Sequence, residues 1–147
     1  MLPLQEISDR LEIQDLLARY SQAIDAHDFG ALDGLFTEDA VIDYTEVGGP
    51  RGDLATTKEF LARVLPAHKG HYHLVGSTVV EISGDEAAVR SICHNPMLLG
   101  QGEEPGRIYF CGLWYRDSMV RTPEGWRISQ RYEEKCFIWF PEPGRFG

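Results

Sequence analysis

The stretch HYHLVGSTVVEISGDEAAVRSICHNPMLL, residues 71–99, decides the fold. His71 to Ile82 is strand-like, Ser83-Gly84-Asp85 is a turn, and Ala87 to Leu99 is a second strand. After the Gly-, Glu- and Pro-rich loop Gly100–Gly106 the pattern repeats. Arg107 to Val120 is a long strand, Thr122-Pro123-Glu124-Gly125 a turn, and Trp126 to about Phe137 a last strand. The residues before His71 have a different period. Ile13, Leu16, Leu17, Tyr20, Ala23 and Ile24 form one apolar stripe on a helix expected over Gln5–Ala26. Asp28 is placed to cap a short second helix carrying Phe29, Leu32, Leu35 and Phe36. Ala40–Tyr44 reads as a short strand and Gly48-Gly49-Pro50-Arg51-Gly52 as a loop. Thr56 and Glu59 form a capping box for a third helix with Phe60, Leu61, Val64 and Leu65. Helices first and antiparallel strands afterwards give an α+β, cone-shaped fold. Three N-terminal helices pack on a curved, mostly antiparallel sheet that encloses a pocket.

The 147 residues show no repeat, low-complexity tract or linker, so residues 1–147 are expected to form a single domain. Hydrophobic residues at 43% and charged residues at 25% exclude a disordered chain. Fourteen Lys and Arg against 23 Asp and Glu leave a net charge of −9, which repels phosphate backbones, so no nucleic-acid partner is expected. No apolar run reaches a membrane span, and the first residues lack a basic-then-apolar leader. Three cysteines without a C-x-x-C, Cys93, Cys111 and Cys136, fit reduced thiols and a cytoplasmic location. No Gly-rich nucleotide fingerprint follows a strand, so no cofactor is expected.

The segment Tyr20-Ser21-Gln22-Ala23-Ile24-Asp25-Ala26-His27-Asp28-Phe29, followed by Leu35-Phe36-Thr37-Glu38-Asp39-Ala40, resembles the opening of SnoaL-like proteins. Trp114-Tyr115-Arg116-Asp117, then Glu124-Gly125-Trp126-Arg127-Ile128 and Arg131, resembles their closing hairpin. These proteins belong to the nuclear transport factor 2-like superfamily, and the resemblance covers roughly Ile7 to Cys136. Within it the chain looks most like scytalone dehydratases. That likeness implies pocket roles for Asp25, for Tyr44 in Val41-Ile42-Asp43-Tyr44, and for His73 in His73-Leu74-Val75-Gly76. The chain also departs from that pattern. Ile24 stands where a second pocket Tyr is expected and Met97 where a second His is expected, with His94 three residues earlier. Tyr109 and Cys111 replace a Ser and an Asn. Scytalone itself is therefore not the expected substrate.

The implied catalytic residues are Asp25, His73 and Tyr44; Tyr20, Ile24, His94, Met97, Tyr109 and Cys111 are the implied substrate contacts. Each also has a plain alternative. Asp25 could be a solvated carboxylate or a cap, and Tyr20 and Cys111 core residues. Tyr44 could be packing at a strand end, and His94 could face solvent. His71 and His73 share a face on a strand, which raises a metal site, but no third ligand stands near them in sequence and none is expected. The expected chemistry is a cofactor-free dehydration, isomerisation or cyclisation of a small hydrophobic aromatic or polyketide-like carbonyl compound. His73 would move the proton, Asp25 would orient it, and Tyr44 would stabilise the oxyanion. The rival readings are a ligand-binding protein without chemistry and a structural small subunit like those of ring-hydroxylating dioxygenases. Trp114 and Trp126 read as packing between the sheet and a neighbouring subunit. The tail Cys136–Phe140 is apolar enough to cover a cavity mouth or a partner, which implies a homodimer or homotrimer.

Overall fold

A computed structural model describes residues 1–103 and 105–141. The apolar stripe does form one long helix, α1, over Leu4–Asp25, and all six stripe residues are buried. The chain leaves the helix through His27, whose φ of 56° is left-handed. The expected second helix is a single 3-10 segment, Phe29–Gly34, whose first turn is closed by Ala31 N–H donating to Asp28 Oδ1 at 3.2 Å. Phe36, expected as its last apolar position, instead opens strand β1 (Phe36–Asp43), which is followed by the two-residue β2 (Arg51–Gly52). Helix α2 (Leu54–Val64) is capped by Asp53, which accepts from Thr56 N–H at 2.8 Å. The expected capping box at Thr56 is therefore not used, because a carboxylate already occupies the extended residue just before the helix. The three helices expected before the sheet thus resolve into two α-helices and a 3-10 segment, with α2 placed after two strands.

Five more strands complete the sheet: β3 (His68–His71), β4 (Leu74–Ser83), β5 (Glu86–Leu99), β6 (Arg107–Thr122) and β7 (Gly125–Trp139). Their order is β2-β1-β7-β6-β5-β3, with β4 also on β5; among the described residues only the β1–β7 pair is parallel. The single strand expected over His71–Ile82 is two strands on the same edge of β5. β3 lies opposite Met97–Leu99 and β4 opposite Glu86–His94. His73 falls in the gap between them, so its backbone N–H is free of the ladder.

Side-chain parity then decides which residues face the helices. Along β5 every second residue from Ala87 to Met97 is buried: Ala87, Val89, Ser91, Cys93, Asn95 and Met97. His94 has the opposite parity. It is exposed and stacks on Phe110 of the outer face. Trp126, expected at a subunit contact, lies wholly inside its own core, where its Nε1–H donates to Asp9 Oδ1 at 3.2 Å. Arg121 grips the same carboxylate from β6 (Nη2 to Oδ2, 2.8 Å), and its guanidinium holds Asp9 well below the usual carboxylate range. The tail runs along β6 as part of β7, and Phe140 beyond it stacks on Tyr109 at 4.8 Å between centroids. Phe137 and Trp139 remain exposed on the sheet. No helix among the described residues is long and apolar enough to cross a membrane.

Candidate active site

A cavity of about 180 Å³ lies between the two helices and the concave face of the sheet. Of the residues expected to meet a ligand, Tyr20, Ile24, Tyr44, His73, Met97, Tyr109 and Cys111 all line it. His94 does not, for the parity reason above; its neighbour Asn95 takes that place. Asp25 stands behind His73 rather than on the wall.

Asp25 is the last residue of α1, and its carboxylate reaches across to the gap between β3 and β4. His73 Nδ1 lies 2.7 Å from Asp25 Oδ1, and the unpaired His73 backbone N–H donates to Oδ2 at 3.1 Å. Two points of attachment fix both the position and the rotation of the imidazole. On the other side of the ring, Asn95 Nδ2 donates to His73 Nε2 at 3.0 Å. This arrangement puts the ring proton on Nδ1, shared with Asp25, and leaves the Nε2 lone pair facing the cavity wall. Burial alone would raise the Asp25 pKa. The hydrogen bonds from His73 and the charges of His73 and His71 outweigh it and hold the carboxyl below its ordinary value.

His71 is the second imidazole on this carboxylate, its Nδ1 3.3 Å from Asp25 Oδ1. Its Nε2 meets Nε2 of the exposed His27 at 2.9 Å. Burial and the neighbouring His73 push the His71 pKa down, against the opposing pull of Asp25, so the ring gives up its proton more readily than an ordinary histidine. Asp25, His71 and His73 bring three potential metal ligands within 4.8 Å, and the third donor not visible from spacing is Asp25 itself. The 2.7 Å between Asp25 and His73 is a hydrogen-bond length, shorter than the roughly 3.3 Å that separates two tetrahedral zinc ligands on bonds of ~2.0 Å, whereas the 3.3 Å between Asp25 and His71 is not. The Asp25–His73 contact is that of a shared proton.

The polar groups elsewhere in the cavity are few. Tyr20 and Tyr44 share one hydrogen bond, 2.6 Å between hydroxyls, so one of the two O–H protons stays available to a ligand. Burial pushes Tyr20 up to about 12 and Tyr44 well above the usual phenol, so both act as neutral donors. His68 is set by Val64 O at Nδ1 (3.2 Å) and by the Tyr109 hydroxyl at Nε2 (2.9 Å). Burial raises the Cys111 thiol to about 11, which makes it an inert wall residue. Asn95 Oδ1 is buried without a hydrogen-bond partner among the described residues. Glu133 of β7 also lines the cavity, 7% exposed, and burial pushes its pKa up to about 8 against the opposing pull of Arg131. Asn95 and Glu133 are the residues sequence reasoning missed, and His71 was weighed there only as a metal ligand. Asn95 was the accessible one, because it shares parity with Met97 and His94 cannot.

Three comparisons place the chain among known proteins. Residues 5–132 match the SnoaL-like domain family. The uncharacterized protein Rv2910c of Mycobacterium tuberculosis is 49% identical over 137 residues, spanning 93% of this chain and 92% of the relative. Among solved structures, an NTF2-like protein with a cystatin-like fold from Novosphingobium aromaticivorans is 28% identical with a TM-score of 0.65, covering 90% of this chain and 85% of that one. A hexachlorocyclohexane dehydrochlorinase from Novosphingobium barchaimii superposes with a TM-score of 0.81 at 18% identity, covering 98% of this chain and 97% of that one; it shows a shared fold.

Proposed function

This chain belongs to the SnoaL-like domain family, and on that premise we propose that it is a cofactor-free lyase or isomerase of small hydrophobic carbonyl compounds. The observation that carries the reading is the pair at 2.7 Å: a carboxylate fixes the imidazole from behind while the opposite ring nitrogen faces an apolar cavity. His73 would take a proton from the carbon next to a carbonyl. Asp25 would support the positive charge that this places on the ring, and the free hydroxyl of the Tyr20–Tyr44 pair would hold the carbonyl oxygen as it gains charge. Asn95 donates to Nε2, so the substrate carbon must displace that amide.

Size narrows the substrate further. A cavity of about 180 Å³ resembles the ~150 Å³ hole that takes up one benzene molecule. A single six-membered ring fits, and a fused polyketide does not. Acetophenone, cyclohexanone or phenol should therefore raise the melting temperature, by about 2.7 kcal/mol of stabilisation at one hundred times Kd. Three-ring aromatics, nucleotides and sugars should leave it unchanged. A thermal-shift titration checks this. Stabilisation by nucleotides, or none by any one-ring ketone or phenol, would count against the pocket as a carbonyl site.

A further inference from the structure

Building on the proposed function, the geometry points to Glu133 as the acid of this site, protonating a leaving oxygen while His73 removes the α-proton, so that the substrate is a one-ring β-hydroxy ketone losing water.

Glu133 reaches the cavity from β7 and His73 from the far edge of β5, so base and acid sit on different walls of a space about one ring wide. Its carboxyl lines the cavity and makes no hydrogen bond to any described residue. A carboxyl left without partners inside an apolar wall is costly when charged and is held as the neutral acid. The groups that interact with it electrostatically are the Arg131 guanidinium, which lowers its pKa, the Asp117 carboxylate paired with that guanidinium, which raises it, the hydroxyls of Tyr20, Tyr44 and Tyr115, and the thiols of Cys93 and Cys111. The phenols and thiols are neutral at physiological pH, and the Arg131 charge is already balanced. Burial accordingly sets the Glu133 pKa at about 8, so it carries a proton to donate at neutral pH.

The step balances without an external reagent. His73 Nε2 takes the proton from Cα, and the C–H pair becomes the Cα–Cβ double bond. The Cβ–O bond breaks and the departing oxygen takes the Glu133 proton to leave as water. His73 is left as imidazolium and Glu133 as carboxylate; proton transfer through the released water restores both. The carbonyl oxygen stays on the free Tyr20–Tyr44 hydroxyl throughout.

Two probes separate this inference from the reading beneath it. Exchange of cyclohexanone α-hydrogens in deuterium oxide needs only the base, whereas loss of water from 3-hydroxycyclohexanone needs base and acid. In Glu133→Gln, elimination should fall about 100-fold further than exchange, the scale of one positioned general acid. The wild-type elimination rate should decline above a pH of about 8, and that decline should vanish in Glu133→Gln. A melting series gives a readout without substrate. The folded chain keeps the Glu133 proton up to about 8 while the unfolded chain releases it near 4.5, so Glu133 lowers stability progressively as pH rises through that window. Glu133→Gln should thus gain melting temperature over wild type between these values, and this also shows that the variant folds. Equal losses of elimination and exchange, wild-type exchange without elimination, or a pH-independent melting difference would each overturn the role of Glu133. Absence of exchange in the wild type would overturn the proposed function itself.

Discussion

Asp25→Asn should lower the elimination of water from 3-hydroxycyclohexanone by roughly 10³–10⁴-fold while leaving thermal stabilisation by one-ring ketones intact. The reason lies in the two contacts that Asp25 makes to one residue. The His73 backbone N–H donates to one carboxylate oxygen and the ring Nδ1–H to the other. An asparagine has a single oxygen. If that oxygen stays with the backbone N–H, the amide NH₂ faces Nδ1 and forces the ring proton onto Nε2. The nitrogen facing the cavity then becomes a donor and cannot accept a carbon-bound proton. Asn95 would turn over to offer Nε2–H its Oδ1, the atom without a partner in the wild type. Shape is preserved and the base is lost. Steady-state kinetics beside a thermal-shift titration decide the matter; turnover within threefold of wild type would make the Asp25–His73 contact purely structural.

Arg131→Leu should destabilise the fold by about 3–5 kcal/mol, seen as a melting temperature lower by roughly 10 °C or more. Arg131 and Asp117 are both fully buried and joined by two hydrogen bonds, Nε to Oδ1 at 2.8 Å and Nη2 to Oδ2 at 2.7 Å. The guanidinium also lies between two aromatic faces, 4.0 Å from the Tyr20 ring centroid and 4.1 Å from that of Tyr115. Removing the cation strands a buried carboxylate without its partner. The loss is therefore the penalty for an unpaired buried charge more than the worth of the pair. Accordingly, the double change Arg131→Leu with Asp117→Leu should recover most of the melting temperature. A single variant that melts within 2 °C of wild type would contradict this account of the core.

The helix α1 was legible because its apolar residues recur at helical spacing, and the four long strands because turns interrupt them on schedule. The failures have local causes. The short helix after Asp28 has too few residues to tell an α-turn from a 3-10 turn, and Phe36 suits either a helix face or a strand start. The break between β3 and β4 carries no Gly or Pro at Tyr72-His73, so nothing in the residue types announces it, yet it supplies the backbone N–H that anchors Asp25. His94 and Met97 are three apart and must face opposite sides of a strand, which parity alone could have shown. Glu133 was hidden by a register shift. The β6–β7 ladder slips between Ser118 and Met119, so Ile128 and then Arg131 and Glu133 all point inward although their numbers differ in parity. A charged residue turned inward by a bulge cannot be told from a solvated one before the bulge is seen.

A crystal structure of the protein with acetophenone bound tests the central claim most directly. The account predicts the ring inside the cavity, the carbonyl oxygen on the Tyr20 or Tyr44 hydroxyl, and the methyl carbon about 3–3.5 Å from His73 Nε2, with Asn95 displaced from that nitrogen. A ketone seated in the cavity with its oxygen on His73 and its α-carbon more than about 6 Å from Nε2 would contradict it, since no proton could then pass from carbon to that ring.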